Sequence, residues 1–215
     1  MRSGPAAVLG RILKKLVAGG ERQPAAAAPL RLNLGCGTNK REGYLNVDKM
    51  AGCSPDVVLD IERVPWPWPD NSVEDVRLFH VLEHIGRDAD TYLGVMKELY
   101  RVCRHDAHIS IAVPHPRHDD FLGDPTHVRP IIPNGLALLD QRLNRHWQEQ
   151  GASNTPLGLY LGVDFELIHI EYEFDEAWSG RIQRREISQN EAMEAQARYN
   201  NVVKEIRMTL RVRKS

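Results

Sequence analysis

The stretch Leu30-Arg31-Leu32-Asn33-Leu34-Gly35-Cys36-Gly37-Thr38-Asn39 constrains the chain more than any other. Leu30, Leu32 and Leu34 alternate with polar residues, as one buried face of a strand does, and the alternation runs straight into two glycines one residue apart. A buried strand ends this way when the backbone turns tightly and comes up against a ligand. A residue without a Cβ neither blocks the approach nor resists a positive φ. Gly-x-Gly alone specifies no ligand. Tyr44-Leu45-Asn46-Val47-Asp48 narrows the choice, because this second short strand closes on a carboxylate. A carboxylate there can accept hydrogen bonds from two vicinal ribose hydroxyls.

At 215 residues, 42% of them hydrophobic and 27% charged, the chain has the size and composition of one soluble globular core. A net charge of −1 argues against nucleic acid as the main partner. Cys36, Cys53 and Cys103 are odd in number and lack Cys-x-x-Cys spacing. They point to a reducing compartment and to neither a disulfide framework nor a cysteine zinc site. With no apolar run near the roughly 20 residues that span a bilayer, the expectation is a cytoplasmic protein.

Residues 1–29 stand apart from the domain expected over 30–215. Val8-Leu9, Ile12-Leu13 and Leu16-Val17 recur at helical spacing around Arg11, Lys14 and Lys15, which predicts a short basic amphipathic helix. Gly19-Gly20 ends it, and Pro24 to Pro29 reads as a linker. Residues 1–20 could dock on a membrane surface or a partner, or pack on the domain. The interrupting charges exclude a secretory signal.

From Leu30 strands alternate with helices. Strands are expected at Leu30–Cys36, Leu45–Asp48, Val57–Asp60, Val76–His80 and His108–Val113, with a helix over Asp88–Cys103. Asn134 should cap a helix running to about Gln150, Gly151 to Gly162 reads as irregular, and a solvated helix is expected within Ile187–Asn200. Phe165–Phe174 and Glu205–Arg213 alternate again and suit an antiparallel pair at a sheet edge. The predicted fold class is α/β: a Rossmann-like, mainly parallel seven-stranded sheet with an antiparallel edge and helices on both faces. Only eight residues separate Cys36 from Leu45, whereas a parallel crossover usually takes a dozen or more. The first crossover helix must therefore be a turn or less.

These pieces resemble a class I S-adenosylmethionine-dependent methyltransferase of the small bacterial and phage type, similar to methyltransferase type 11. The resemblance runs from about Leu30 to Pro133. It rests on Asn33-Leu34-Gly35-Cys36-Gly37, Gly43-Tyr44-Leu45-Asn46-Val47-Asp48, Phe79-His80-Val81-Leu82-Glu83-His84-Ile85 and Asp124-Pro125-Thr126-His127-Val128-Arg129-Pro130. It implies S-adenosylmethionine as cofactor, with Gly35, Cys36 and Gly37 meeting its methionine part, Asp48 on the ribose, Asp60 and Ile61 beside the adenine, and His80 under the methionine end. Asn33 stands where the motif normally carries an acid and Asn39 where it carries a third glycine. These departures are the motive for a rival reading, a non-catalytic cofactor-binding or scaffold protein.

Methyl transfer from a sulfonium needs no metal. For a hydroxyl acceptor it needs a base, and histidine titrates near working pH. The candidates follow the fifth strand: His127 as base with Asp124 or Asp119 orienting it, and His118 second. The alternatives are a turn that only locks its loop at Asp124-Pro125-Thr126-His127, and a metal site from His115, His118, Asp119 and His127, whose spacing fits no standard zinc pattern. Glu83-His84 is either a proton-handling pair or a helix-start acid beside a turn histidine. Pro65-Trp66-Pro67-Trp68-Pro69 either walls the ligand pocket or packs the core. The expected acceptor is a hydroxyl on a sugar or glycan precursor. A small-molecule amine is the alternative. The position after the fourth strand lacks the Asn/Asp-Pro-Pro-aromatic tetrapeptide of base-amine methylation.

Overall fold

The computed structural model describes residues 29–214; the helix and linker expected ahead of them lie outside the described residues. Seven strands form one sheet: β1 (Leu30–Leu34), β2 (Leu45–Asp48), β3 (Val57–Val58), β4 (Val73–Phe79), β5 (Cys103–Pro114), β6 (Phe165–Phe174) and β7 (Val203–Val212). Their order is β3-β2-β1-β4-β5-β7-β6. The first five are mutually parallel, and β7 runs antiparallel between β5 and β6. The switch in direction from β1 leftward to β4 rightward leaves a crevice beyond the carboxyl ends of the central strands.

Leu32, Leu34, Val76 and Leu78 are wholly excluded from solvent at the centre of this sheet. Each such side chain contributes about 1.5–3 kcal/mol by burial. Helix α1 (Ala89–Val102) covers them with Val95, Met96, Leu99 and Val102, and Asp88 caps it by accepting from the Thr91 N–H at 2.7 Å. The helix passes without a loop into β5, which begins at Cys103 rather than at the expected His108. Trp66 and Trp68 meet edge to face at 5.6 Å in the core, and the Trp66 indole donates to the Ile61 carbonyl. The proline-tryptophan segment is therefore a packing element and not a pocket wall.

Between β1 and β2 there is no helix. Asn33 Nδ2 donates to the Asn39 carbonyl at 3.0 Å and to Asn46 Oδ1 at 2.9 Å. Asn46 Oδ1 also accepts from the Arg41 N–H, and Asn46 Nδ2 donates to Asp56 at 2.8 Å. Side-chain amides thus supply the bonds that a crossover helix would have made for itself.

The later helices differ from the sequence expectation. The helix expected to end near Gln150 is two, α3 (Pro133–Ala137) and α4 (Gln141–Glu149), following a short α2 (Asp119–Leu122). The break falls at Asp140, whose Oδ1 accepts from the Arg142 and Leu143 N–H groups and starts a new helix. Asn134 lies inside α3 and caps nothing. The stretch expected to be irregular holds α5 (Leu157–Leu161), and α6 (Glu176–Gln183) follows β6 unannounced, whereas α7 (Gln189–Ala195) falls within the span expected for a helix, Ile187–Asn200. Helix α7 begins with a reciprocal box between Ser188 and Glu191. No helix among the described residues is long and apolar enough to cross a membrane.

Candidate active site

A cleft of about 700 Å³ opens beyond β1, β2 and β4. Gly35 forms part of its floor with φ +64°, and a Cβ there would come within 2.5 Å of Val81 Cγ2. That position accepts only glycine, on grounds of both conformation and packing. Asp48 faces the cleft from the end of β2. Its Oδ2 accepts from the Gly37 N–H and its Oδ1 from the Met50 N–H, both at 2.8 Å. Two backbone donors fix the carboxylate, and each oxygen keeps a lone pair for a ligand. Asp60 and Ile61 follow β3 into the same wall, with Asp60 Oδ1 accepting from the Glu62 N–H at 3.2 Å.

Asn33, Cys36 and Gly37, expected at the cofactor, do not line the cleft. The Asn33 amide is consumed by the β1–β2 connection. Cys36 is buried, which pushes its thiol up. Gly37 turns its N–H to Asp48 and acts on the ligand wall through that carboxylate.

His80 lines the cleft at the end of β4 with φ +56°, a strained conformation for a residue with a Cβ. Its Nε2 lies 2.9 Å from Glu205 Oε2 and its Nδ1 3.5 Å from Glu83 Oε1. The bond to Glu205, helped by Glu83, raises its pKa to about 10, so the ring is an imidazolium at neutral pH. A cation here suits a carboxylate better than the ammonium that the resemblance would place over this strand end.

Leu82–His84 form a single 3-10 turn that carries Glu83 into the interior, fully buried. The Glu83 carbonyl accepts from the Val128 and Arg129 N–H groups at 2.8 and 3.2 Å, which docks the late loop on this turn. The Arg129 guanidinium lies over the Tyr92 ring and donates to the Gly86 carbonyl. His127 thereby lies between Phe121 and His84, stacked on the first with ring centroids 5.2 Å apart and tilted against the second at 4.6 Å. Asp124 Oδ1 accepts from both the Thr126 N–H and its hydroxyl, at 2.8 and 2.6 Å, and these bonds hold its carboxyl below the usual carboxylate range. The loop-locking turn is thus real, and it sets the histidine as well.

The cleft wall itself takes His84 and Thr126 rather than His127. Asp124 Oδ2 stands 3.7 Å from His127 Nε2, while the His127 Nδ1 meets the Phe121 carbonyl at 2.9 Å. His118 and Asp119 are elsewhere. His118 is buried, accepts from the Asp120 N–H through Nδ1 and reaches Asp175 through Nε2. Asp119 exchanges two hydrogen bonds with Asn201. Both hold α2 in place, and neither lines the cleft where a catalytic role was expected of them. The alternative metal grouping of His115, His118, Asp119 and His127 does not converge; among the described residues Glu83, His84 and His127 do.

Glu62, Arg87 and Thr91 complete the cleft without a motif of their own. Glu62 Oε1 accepts from the Gly86 N–H at 2.7 Å and joins the loops after β3 and β4. Its neighbour Asp60 was the nearest sequence signal.

No family model matches the chain, and no curated protein matches its sequence. Solved structures do match its shape. A SAM-dependent methyltransferase from Archaeoglobus fulgidus superposes at a TM-score of 0.55 with 20% identity, over 98% of this chain and 95% of that one. An S-adenosylmethionine-dependent methyltransferase from Mesorhizobium loti gives 0.45 with 15% identity, over 85% and 90%. Identity this low speaks for the fold alone, and so the strand order and the first of these superpositions lead to one statement: the chain has the class I S-adenosylmethionine-dependent methyltransferase fold.

Proposed function

We propose that this chain is an S-adenosylmethionine-dependent methyltransferase acting on a hydroxyl of a sugar or glycan precursor. The observation that carries the reading is that Asp48 and Asp60, after successive strands, open onto one cleft with Gly35, opposite His84 and Thr126. The residues fit the cofactor: Asp48 has free lone pairs for the ribose hydroxyls, Asp60 can accept from the adenine amine, and the His80 imidazolium suits the amino-acid carboxylate. When bound, the cofactor supplies a methyl group on a cationic sulfur. The chain's part is to align the acceptor, worth up to about 7–11 kcal/mol, and to take its proton. The His84–His127 pair is the basic group on that side, and proton removal contributes on the order of 10²–10⁴ in rate. Arg87, Thr91 and Thr126 present donors and acceptors that suit a polyhydroxyl acceptor.

Isothermal titration with S-adenosylmethionine tests the cofactor, and Asp48→Ala should weaken binding about tenfold or more, the loss of charge-assisted bonds. Labelled methyl transfer to a panel of sugars, phenols and amines tests the acceptor. No binding at millimolar cofactor sinks the reading. Binding without turnover favours the non-catalytic rival, and transfer to amines alone makes the chain a small-molecule N-methyltransferase.

A further inference from the structure

Glu83 is buried, and neither carboxylate oxygen has a hydrogen-bond partner among the described residues. Burying an unpaired carboxylate costs several kcal/mol, so such groups are held beside a cation or coordinate a metal. The His80 imidazolium stands beside Oε1, its Nδ1 3.5 Å away, so it offsets the charge of Glu83 without a hydrogen bond and leaves both oxygens open to a further ligand atom. On the other side a Glu83 oxygen and one ring nitrogen each of His84 and His127 lie within 4.8 Å of one another.

The hydrogen bonds fix which nitrogens are free. His127 Nδ1 faces the Phe121 carbonyl at 2.9 Å, and a carbonyl only accepts, so Nδ1 carries the proton and Nε2, with Asp124 Oδ2 3.7 Å away and beyond hydrogen-bond distance, the lone pair. His84 Nδ1 lies 3.0 Å from Thr126 Oγ1 and 3.3 Å from the Thr126 carbonyl. The Thr126 hydroxyl spends its own proton on Asp124, so His84 Nδ1 must also donate, and its Nε2 is again the acceptor. Metal-binding histidines are held this way, one ring N–H given to an oxygen acceptor and the other nitrogen on the ion.

We propose that Glu83, His84 and His127 form a binding site for one divalent first-row transition-metal ion, held through the Glu83 carboxylate and the two Nε2 atoms at the edge of the cleft. Two imidazoles and one carboxylate are the donor set of catalytic zinc and of non-haem iron sites, and are less suited to magnesium, which prefers oxygen. Ligand atoms about 2.1 Å from one ion sit up to roughly 4 Å apart, near the spread of this grouping. His84 also lines the cleft, so an ion there can meet an acceptor hydroxyl and lower its pKa. That role rests on the methyltransferase reading, and with both Nε2 atoms on the ion the lowered hydroxyl pKa takes the place of the histidine pair as base; the site itself does not rest on it.

Binding is therefore measured without cofactor, on the full chain stripped by chelator and titrated with Co²⁺ and Zn²⁺ near pH 7.5. The expected result is one ion per chain, visible Co²⁺ bands of nitrogen–oxygen ligation and a raised melting temperature. Glu83→Gln and His127→Gln should each weaken binding by more than about 100-fold, since an outer-shell partner alone is worth 10–100-fold. The exposed His105→Ala should leave binding unchanged. Absence of stoichiometric binding at roughly 1 mM ion, or equal binding by Glu83→Gln and wild type, overturns the site. If a variant does not fold, a Cu²⁺ spectrum of the wild type decides: two imidazole nitrogens support the site, and fewer overturn it.

Discussion

At His115 the N–H of Arg117 donates to Nδ1 at 3.2 Å, a bond that only a ring unprotonated on that nitrogen can accept. Burial, with the positive charge of Arg117 nearby, holds the His115 pKa below its ordinary 6.5. In the unfolded chain the ring takes a proton near pH 6.5, while the folded ring does not until lower pH. The unfolded state therefore binds more protons in that window, and stability falls as pH drops through it, levelling off below the folded pKa. The melting temperature of the wild type should decline more steeply than that of His115→Gln between pH 7 and 5. At the same scale, Asp48 and Asp60 were legible because each follows a short apolar strand. His84 and Glu83 were legible only as a pair of polar residues. Their meeting with His127 depends on backbone bonds from Val128 and Arg129 to the Glu83 carbonyl, which no local pattern records. His118 and Asp119 are occupied by Asp175 and Asn201, distant in sequence, which no local pattern could show.

The connection from β1 to β2 behaves as an element although it has no regular structure. Asn46 is its hub, accepting from Asn33 and Arg41 and donating to Asp56, and it is buried. Asn46→Ala leaves those groups without a partner and should cost about 1–3 kcal/mol in urea unfolding. If the loop is held chiefly by backbone preference, the loss will be near zero. The bonds from the Asn33 amide account for one departure from the motif, the amide in place of an acid, whereas Asn39 supports the loop through its main-chain carbonyl alone. The shortness of this connection was countable in the sequence; what replaces the helix was not. Strands and α1 were readable from their period because one face is buried along their whole length. Helices α3, α4 and α5 were not, because helices of five to nine residues owe their limits to tertiary contacts and caps such as Asp140.

Across the whole molecule, one buried arginine joins parts remote in sequence. Arg213, just after β7, pairs with Asp140 at 2.5 Å and Asp164 at 2.6 Å, and the Tyr100 hydroxyl of α1 donates to its carbonyl. All three charged side chains are largely buried. Arg213→Ala strands two carboxylates and should destabilise the fold by about 3–5 kcal/mol, read from the urea midpoint. Adding Asp140→Asn and Asp164→Asn should recover part of that loss if stranded charge is its cause. The same economy governs the far edge of the sheet, where Asp48 is tethered by Gly37 on one side and Met50 on the other before any ligand arrives. The ordering entropy of that carboxylate is spent when the chain folds. On the proposed cofactor reading, a ribose reaching Asp48 would meet a carboxylate already fixed by two backbone donors, so its binding would cost no ordering entropy at that side chain.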